Sequence, residues 1–266
     1  MLSKNYKRSN RKVIVGIDEA GRGPVVGPMV FGALILDISE NTKSPLINEL
    51  KDSKTLTPAR RDLLYNKIKT SFDYAYKIIT PQYLNKYMHK KNKNQKSLNE
   101  ISYDAIIELL KDIGKKYTIT KVYLDMIGST NKYLQALHNS LGDKKIDIVT
   151  KKSKKIKIKN FSNIIKNTEY IIKTKADSLY PIVSGASIIA KVNRDILVDN
   201  KYGSGYPSDP ITINYIKNNI DVIKGVVKEN NCDQNIRYEW MTIKKYFVRK
   251  NEDRLNGKLN SLNFKP

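Results

Sequence analysis

The sequence contains very little cysteine or histidine. Cys232 is the single cysteine in 266 residues, which excludes an intramolecular disulfide framework and fits a reducing compartment. His89 and His138 are the two histidines. With so few sulfur and imidazole ligands, a zinc or iron–sulfur centre is not expected. A catalytic metal would have to be held by carboxylates, which suit hard ions such as Mg²⁺ or Mn²⁺.

Long apolar runs are also missing. No run approaches the roughly 20 residues of a membrane span, and the basic start MLSKNYKRSNRK has no apolar segment of the secretory type. We therefore expect an intracellular protein that is neither secreted nor membrane-bound, cytoplasmic or, in a eukaryote, nuclear. With 40% hydrophobic residues, the chain can still fill the core of one large domain.

Negative charge is scarce relative to positive charge. Lysine and arginine number 49 against 26 aspartates and glutamates, which gives a net charge of +23 and a pI near 9.8. Such a balance is typical of nucleic-acid-binding proteins. A surface that is merely solvated by lysine is the alternative.

The apolar and glycine patterns predict an α/β domain. Residues 13–18 and 28–37 have the composition of consecutive strands separated by a glycine-rich turn. Strands followed by strands mixed with helices indicate a mixed sheet. The other predicted elements are helices after Thr57 and over 97–114, 130–141 and 184–200, strands over 72–80, 120–126 and 146–150, and a mainly helical tail from 210.

Two adjacent acids end the first predicted strand, in VIVGIDEAGRGPVVGPMV. The glycines after Asp18 and Glu19 fit a dinucleotide-binding fingerprint poorly, because a strand-like segment follows them where that fingerprint needs a helix. In a regular strand the two acids point to opposite faces, whereas a break at the glycines would let both line one cleft. Carboxylates in such a place are too costly to bury unpaired, so they ask for cations.

Two further acids stand at the ends of predicted elements. Asp125 ends an apolar run, and Asp177 lies between a β-like segment and a helix. A cluster of these carboxylates would suit two divalent ions about 3.5–4 Å apart, which stabilise the attacking and leaving oxygens of a phosphodiester displacement. From the residues alone, a surface charge or a helix cap remains the alternative for Asp125 and Asp177.

Five segments in order resemble the motifs of type 2 ribonucleases H, the ribonuclease HII family: GIDEAGRGPVVGPM, KDSKTLT, YLDMIG, KADSLYPIVSGASIIAKVNRD and GSGYPSDP. The closing IRYEWMT resembles the C-terminal signature of the archaeal and eukaryotic branch. The resemblance covers about residues 13 to 245. It implies a ribonuclease H-like fold, with a mixed five-stranded sheet flanked by helices and a helical C-terminal region.

The resemblance also implies roles for individual residues. Glycines such as those after Glu19 let the backbone approach the minor groove, where the 2′-hydroxyl distinguishes RNA from DNA; an ordinary tight turn is the alternative. The implied metal-binding and catalytic carboxylates, expected to hold two Mg²⁺ or Mn²⁺ ions, are Asp18, Glu19, Asp125 and Asp177. The implied substrate-binding residues are Gly21, Arg22 and Gly23 at the 2′-hydroxyl, Tyr206 at the DNA–RNA junction, and Ser53, Lys54, Lys191 and Arg194 as further contacts.

Three regions follow from this alignment. A basic tail over 1–12 precedes a catalytic domain over 13–209, and a mainly helical region covers 210–266. The lysine-rich segment near 151–170 is longer than the family pattern implies, and is either a basic protrusion along duplex phosphates or a strand with lysines on one face. Gly185 stands where the family more usually has alanine, which predicts looser helix packing.

The predicted function is a divalent-metal-dependent endoribonuclease. It would hydrolyse the RNA strand of RNA–DNA hybrids and cut on the 5′ side of ribonucleotides embedded in duplex DNA, leaving 3′-hydroxyl and 5′-phosphate ends. Accessory protein subunits are expected if the chain is of the eukaryotic type. A non-catalytic hybrid-binding protein with the same fold is the alternative, although a pure binder gains nothing from carboxylates that face phosphate.

Overall fold

The computed structural model describes eight ranges: 11–40, 44–51, 53–90, 92–129, 132–133, 135–137, 168–219 and 234–244. The predicted tail before residue 11, the strand at 146–150 and nearly all of the lysine-rich segment lie outside them. Within the described ranges, no helix combines the length and apolarity that a membrane crossing requires.

The chain forms two compact units that interleave along the sequence. The first unit takes its described residues from 1–21, 29–79 and 96–195, and the second takes them from 22–28, 80–95 and 196–266. The predicted domain boundary near residue 210 therefore falls inside the second unit, and it stays a prediction.

A mixed five-stranded sheet forms the centre of the first unit, as predicted. Its strand order is β3-β2-β1-β4-β5. β1 pairs antiparallel with β2, and β2 antiparallel with β3, whereas β4 runs parallel to both β1 and β5. The strands are β1 Lys12–Ala20, β2 Met29–Asp37, β3 Asp73–Ile79, β4 Thr118–Asp125 and β5 Glu169–Lys173.

The helices begin at the residues that the sequence marks as caps. The Thr57 hydroxyl accepts from the backbone N–H of Arg60 at 3.3 Å, and Ser97 forms a capping box with Glu100. The helices are α1 Leu46–Glu49, α2 Pro58–Ser71, α3 Pro81–Met88, α4 Leu98–Gly114, α5 Ala176–Leu179, α6 Pro181–Ile196 and α7 Pro210–Asn218, with 3₁₀ turns at Ser53–Thr55 and Asn200–Tyr202.

Alternating residues of the sheet face two different helix layers. On one face, hereafter the α6 side, Gly16 and Gly32 lie so close to α6 that an added Cβ would be 2.5 Å and 2.4 Å from backbone oxygens of that helix. On the other face, hereafter the α4 side, Lys77 of β3 forms an ion pair with Glu108 of α4. The sheet is therefore covered by α6 on one side and α4 on the other.

Gly185 of α6 is tightly packed, so the predicted looser packing at this position is wrong. A Cβ on Gly185 would lie 2.5 Å from Leu34 Cδ2 and 3.0 Å from Leu50 Cδ1. Leu34 and Leu50 belong to the same buried cluster as the neighbours of Gly185 on α6. The missing methyl group allows the leucines of β2 and α1 to approach the helix axis.

Candidate active site

Strand β1 places its two acids on opposite faces of the sheet. The strand remains regular through Ala20, with Asp18 opposite Gly32 and Glu19 opposite Phe31 on β2. The backbone turns only at Gly21, where φ is +81°, so the glycines do not bring both carboxylates to one face. Asp18 is buried on the α6 side, whereas Glu19 is half-buried on the α4 side.

Asp125 lies beside Asp18 on the neighbouring parallel strand. Ile17 pairs with Leu124, so the next positions along the two strands are Asp18 and Asp125. Asp125 is the last residue of β4, and its Oδ1 accepts a hydrogen bond from the backbone N–H of Ala176 at 3.1 Å. Both carboxylates thus lie at adjacent strand ends on the α6 side.

The short helix α5 supplies the third buried acid. It follows Lys175, the one non-glycine residue with positive φ (58°) in the described part of the chain, and this left-handed residue turns the chain from β5 into the helix. Asp177 is 2% exposed. The Ser184 hydroxyl donates to the Asp177 backbone oxygen at 2.6 Å, which fastens α5 to the start of α6.

Lys54 forms an ion pair with this acid. Its Nζ lies 2.8 Å from Asp177 Oδ2, while 76% of the lysine side chain is exposed. The 3₁₀ turn at Ser53–Thr55 therefore joins two segments that are more than a hundred residues apart in the sequence. The side chain of Ser53, a further predicted contact, lies outside the described part.

The electrostatics of the site are those of crowded negative charge. Burial raises the pKa of Asp18 well above its usual value, with further increases from the charges of Glu19 and Asp125, while a hydrogen bond from Ser187 lowers it. Burial also raises the pKa of Asp125, opposed by the backbone N–H groups of Ala176 and Met126. Each carboxylate is therefore costly to ionise in this fold, and a bound cation would remove that cost.

The carboxylates do not form a closed cage by themselves. Within the described ranges, no three acidic, histidine or cysteine side chains converge on one point where a metal ion could be held. Two physical reasons are visible: Glu19 leaves β1 on the opposite face from Asp18, and like charges repel one another. The cluster is thus an acidic surface at the strand ends.

Ser187 and the backbone N–H of Ala176 are contacts that the sequence did not reveal. Ser187 lies on the buried face of α6 and is 5% exposed, and its hydroxyl is a hydrogen-bond partner of Asp18. A serine in an apolar helix carries no signal of its own, and only the packing of α6 on the sheet places it at the acid.

In the second unit, the predicted recognition residues contact one another. The backbone N–H groups of Val25 and Val26 both donate to the Gly205 oxygen, at 2.8 and 3.3 Å. A Cβ on Gly23 would lie 3.4 Å from Cε1 of Tyr206. The second unit therefore joins the GRG segment to the GSGYPSDP loop and places the half-buried Tyr206 ring against the exposed Gly23.

Arg237 secures the same segment from the C-terminal signature, a role that we did not predict. It is fully buried, and its Nε donates to the Gly27 oxygen at 2.8 Å while its NH1 donates to the Arg22 oxygen at 3.4 Å. Its backbone N–H donates to the Val25 oxygen at 2.9 Å. The IRYEWMT motif was the available signal, but its arginine did not stand out among 49 basic residues.

The two predicted phosphate-binding residues on α6 share one partner. Lys191 Nζ and Arg194 NH1 both lie 3.0 Å from Asp195 Oδ1. Arg194 is only 2% exposed, which favours a structural role for its guanidinium, whereas Lys191 is partly exposed. Contacts of these residues with substrate stay predictions.

Comparison with known proteins defines the class of this fold. A solved structure of ribonuclease H2 from Pyrococcus horikoshii is similar with a TM-score of 0.64 and 27% sequence identity, covering 89% of this chain and 98% of that one. The five-stranded mixed sheet with helices on both faces is therefore a ribonuclease H-like fold.

The family follows from the sequence comparisons. The family model described as Ribonuclease HII matches residues 15–243. A ribonuclease HII of Methanococcus vannielii is 32% identical over 96% of this chain and 98% of its own length. A ribonuclease H2 subunit of Arabidopsis thaliana is 36% identical over 77% of this chain, which spans 65% of that relative. The chain belongs to the ribonuclease HII family and is a ribonuclease H, a phosphodiester hydrolase.

Proposed function

We propose that this ribonuclease H hydrolyses the RNA strand of RNA–DNA hybrids and cuts on the 5′ side of single ribonucleotides in duplex DNA, leaving 3′-hydroxyl and 5′-phosphate ends. The observation that carries the proposal is the pair Asp18 and Asp125, which lie side by side at adjacent strand ends with raised pKa values. A protein that only binds hybrids has no use for costly negative charge in its core.

The acidic cluster fits divalent metal ions. Its ligand atoms are carboxylate oxygens, the type that Mg²⁺ and Mn²⁺ prefer, and their mutual repulsion would be relieved by cations. Such ions, two in the proposed mechanism, stabilise the attacking and leaving oxygens of a phosphodiester displacement. We propose that the ligands are Asp18, Glu19, Asp125 and Asp177.

The protein's own groups would keep these ligands in place and meet the substrate. The Ala176 N–H and the Ser187 hydroxyl fix the orientation of the Asp125 and Asp18 carboxylates. Lys54 already reaches Asp177 with an exposed side chain, so its ammonium group can move onto a phosphate oxygen when the duplex binds. It would then neutralise backbone charge beside the acids.

Substrate discrimination is proposed for the GRG segment with Tyr206. Gly21, Arg22 and Gly23 would bring backbone groups to the 2′-hydroxyl, and the Tyr206 ring would contact the sugar or base at the junction. Support comes from the hydrogen bonds that tie this segment to the loop of Tyr206 and from the buried Arg237 that holds it.

We expect Tyr206→Ala to impair recognition more than stability. Loss of one aromatic contact with a nucleotide costs roughly 1–3 kcal/mol, so kcat/KM for a duplex with one ribonucleotide should fall roughly 10-fold or more. The rate is measured per folded molecule, beside the melting temperature. Tyr83→Ala is the control, since Tyr83 is another half-buried tyrosine of the second unit, stacked on Tyr87. A lower melting temperature with unchanged kcat/KM would show that Tyr206 only packs its loop.

We expect Mg²⁺ or Mn²⁺ to stabilise the wild-type fold. At 100 times the dissociation constant a ligand adds about 2.7 kcal/mol, roughly 5–10 °C in melting temperature for a chain of this size. Asp18→Asn should show a much smaller shift. Because burial raises the pKa of Asp18, its contribution to stability is present at low pH and is lost as the pH rises through that value.

At neutral pH with a chelator, Asp18→Asn should therefore melt at or above the wild-type temperature. Thermal melts with chelator, with Mg²⁺, and with Na⁺ at equal ionic strength separate binding from charge screening. An equal metal-induced shift in both proteins would contradict the assignment of Asp18 as a ligand.

The activity itself is tested on matched duplexes. One has a single embedded ribonucleotide, one is an RNA–DNA hybrid, and one is all DNA. We expect Mg²⁺-dependent cleavage of the first two, with 3′-hydroxyl and 5′-phosphate ends. Binding without cleavage would favour the non-catalytic alternative. Since the Arabidopsis relative is named as one subunit of its enzyme, we propose that accessory proteins are a further requirement if the chain alone binds but does not cut, and size-exclusion chromatography of the active species would show this.

A further inference from the structure

Two buried tyrosines near the acidic cluster have hydroxyl groups that the proposed function does not use. Tyr133 is 0% exposed and Tyr170 is 3% exposed. Among the described residues, neither hydroxyl has a hydrogen-bond partner. A buried hydroxyl without a partner is costly, and phenylalanine would fill the same space without that cost. These two phenols therefore require an explanation.

Tyr133 is fixed on the α4 side of the sheet. Its ring stacks on Tyr103 of α4, with the ring centroids 4.8 Å apart and the planes 13° from parallel. The Tyr103 hydroxyl donates to the backbone oxygen of Ile127 at 3.0 Å, directly after β4. The backbone N–H of Tyr133 donates to the Ser129 oxygen at 3.1 Å. The phenol is thus held rigidly near the strand end that carries Asp125.

Glu19 and Tyr170 share this side of the sheet with Tyr133. Tyr170 pairs with Val122 of β4, and Val122 pairs with Val15 of β1. Val15 and Glu19 are an even number of residues apart on a regular strand, so both face the α4 side. After burial, the charge of Glu19 is the largest cause that raises the pKa of Tyr133, with a smaller contribution from Tyr170, which shows that these groups are close.

We propose that Tyr133 is a positioning residue for Glu19. Its hydroxyl donates to the Glu19 carboxylate through a bridging water, and the Tyr170 hydroxyl binds the same water. Buried waters need two to four polar partners, and the two phenols and the carboxylate provide three. The contact holds Glu19 from the α4 side, opposite to the face that orients Asp18. This inference rests on the proposed catalytic role of Glu19.

Tyr133→Phe tests the proposal, because it keeps the ring stack and removes only the hydroxyl. We expect kcat to fall about 10-fold or more, as for other groups that orient a metal ligand, with little change in KM. Mn²⁺ affinity, measured by calorimetry, should weaken as well. In a Glu19→Gln background, adding Tyr133→Phe should leave the Mn²⁺ affinity unchanged, since the carboxylate that the phenol orients is gone.

Tyr117→Phe is the matched control. Tyr117 is also 3% exposed, but its hydroxyl donates to Asp73 at 2.8 Å and it precedes the opposite end of β4. This variant should lose some stability and keep kcat. If Tyr133→Phe has full kcat and Mn²⁺ affinity with an equal or higher melting temperature, the phenol only packs and the proposal is overturned.

If Tyr133→Phe does not fold, Tyr170→Phe decides the question. Lower kcat and weaker Mn²⁺ binding in that variant would support the shared water, and wild-type values would overturn it. A wild-type chain that binds Mn²⁺ but cuts no duplex would instead refute the proposed function. The Mn²⁺ measurements on the tyrosine variants would still decide the positioning role.

Discussion

Asp125→Asn is expected to abolish cleavage while leaving the fold intact. Asparagine keeps the Oδ1 atom that accepts from the Ala176 N–H, so the end of β4 should stay in place. It removes one anionic ligand from the acidic cluster, and with it electrostatic stabilisation of the transition state. Loss of a single such group costs on the order of 10²–10³ in kcat, and we expect at least this loss on a duplex with one ribonucleotide at saturating Mg²⁺.

The melting temperature should remain unchanged or rise slightly in metal-free buffer, because burial raises the pKa of Asp125 and the asparagine carries no charge. Duplex binding, measured by anisotropy with a chelator, should be retained. Asp112→Asn is the control: Asp112 is an exposed acid of α4 paired with Lys115, and its loss should not affect kcat. Wild-type turnover by Asp125→Asn would rule out its role as a metal ligand.

Gly32→Ala is expected to cause the largest loss of stability. An added Cβ would lie 2.4 Å from the Ala186 oxygen and 2.8 Å from the Ala190 nitrogen. These are backbone atoms of α6 and cannot rotate away, so β2 and α6 must separate. Overpacking typically costs 1–3 kcal/mol and sometimes more. We expect about 3 kcal/mol or more, roughly 10 °C in melting temperature for a chain of this size.

Gly185→Ala is the informative comparison for Gly32→Ala. It adds the same methyl group to the same interface, but the clash is with the ends of the Leu34 and Leu50 side chains, which can change rotamer. Alanine also favours the helix by about 1 kcal/mol over glycine. A smaller loss in melting temperature than for Gly32→Ala is therefore expected. Equal stability of Gly32→Ala and wild type would show that the strand and helix are not in such close contact.

Local sequence patterns determined the elements and the position of the acids within them. The apolar run before Asp18 and the cap residues Thr57 and Ser97 act over a few residues, so their signal can be read from the chain. The same holds for Asp125 at the end of β4. The family motifs in addition implied a mixed sheet with a carboxylate site, and the family and fold are confirmed.

Tertiary structure alone decided which groups meet. The strand register continues past Glu19, so that Asp18 and Glu19 face different helix layers. Lys54 reaches Asp177, and Ser187 reaches Asp18, only because the 3₁₀ turn and α6 pack at the same strand ends. These contacts join residues far apart in the sequence, and no periodicity encodes a distance between them.

Gly185 illustrates the same limit. The sequence shows only that a methyl group is absent, which suggested loose packing, whereas the structure shows two leucines in the space that the methyl group would occupy. Likewise, a tyrosine such as Tyr133 is one of 17 in the sequence, and only its burial beside Glu19 distinguishes it. Composition and spacing specify which side chains are available, but their neighbours depend on how sheet and helices pack, because packing is a property of the whole first unit.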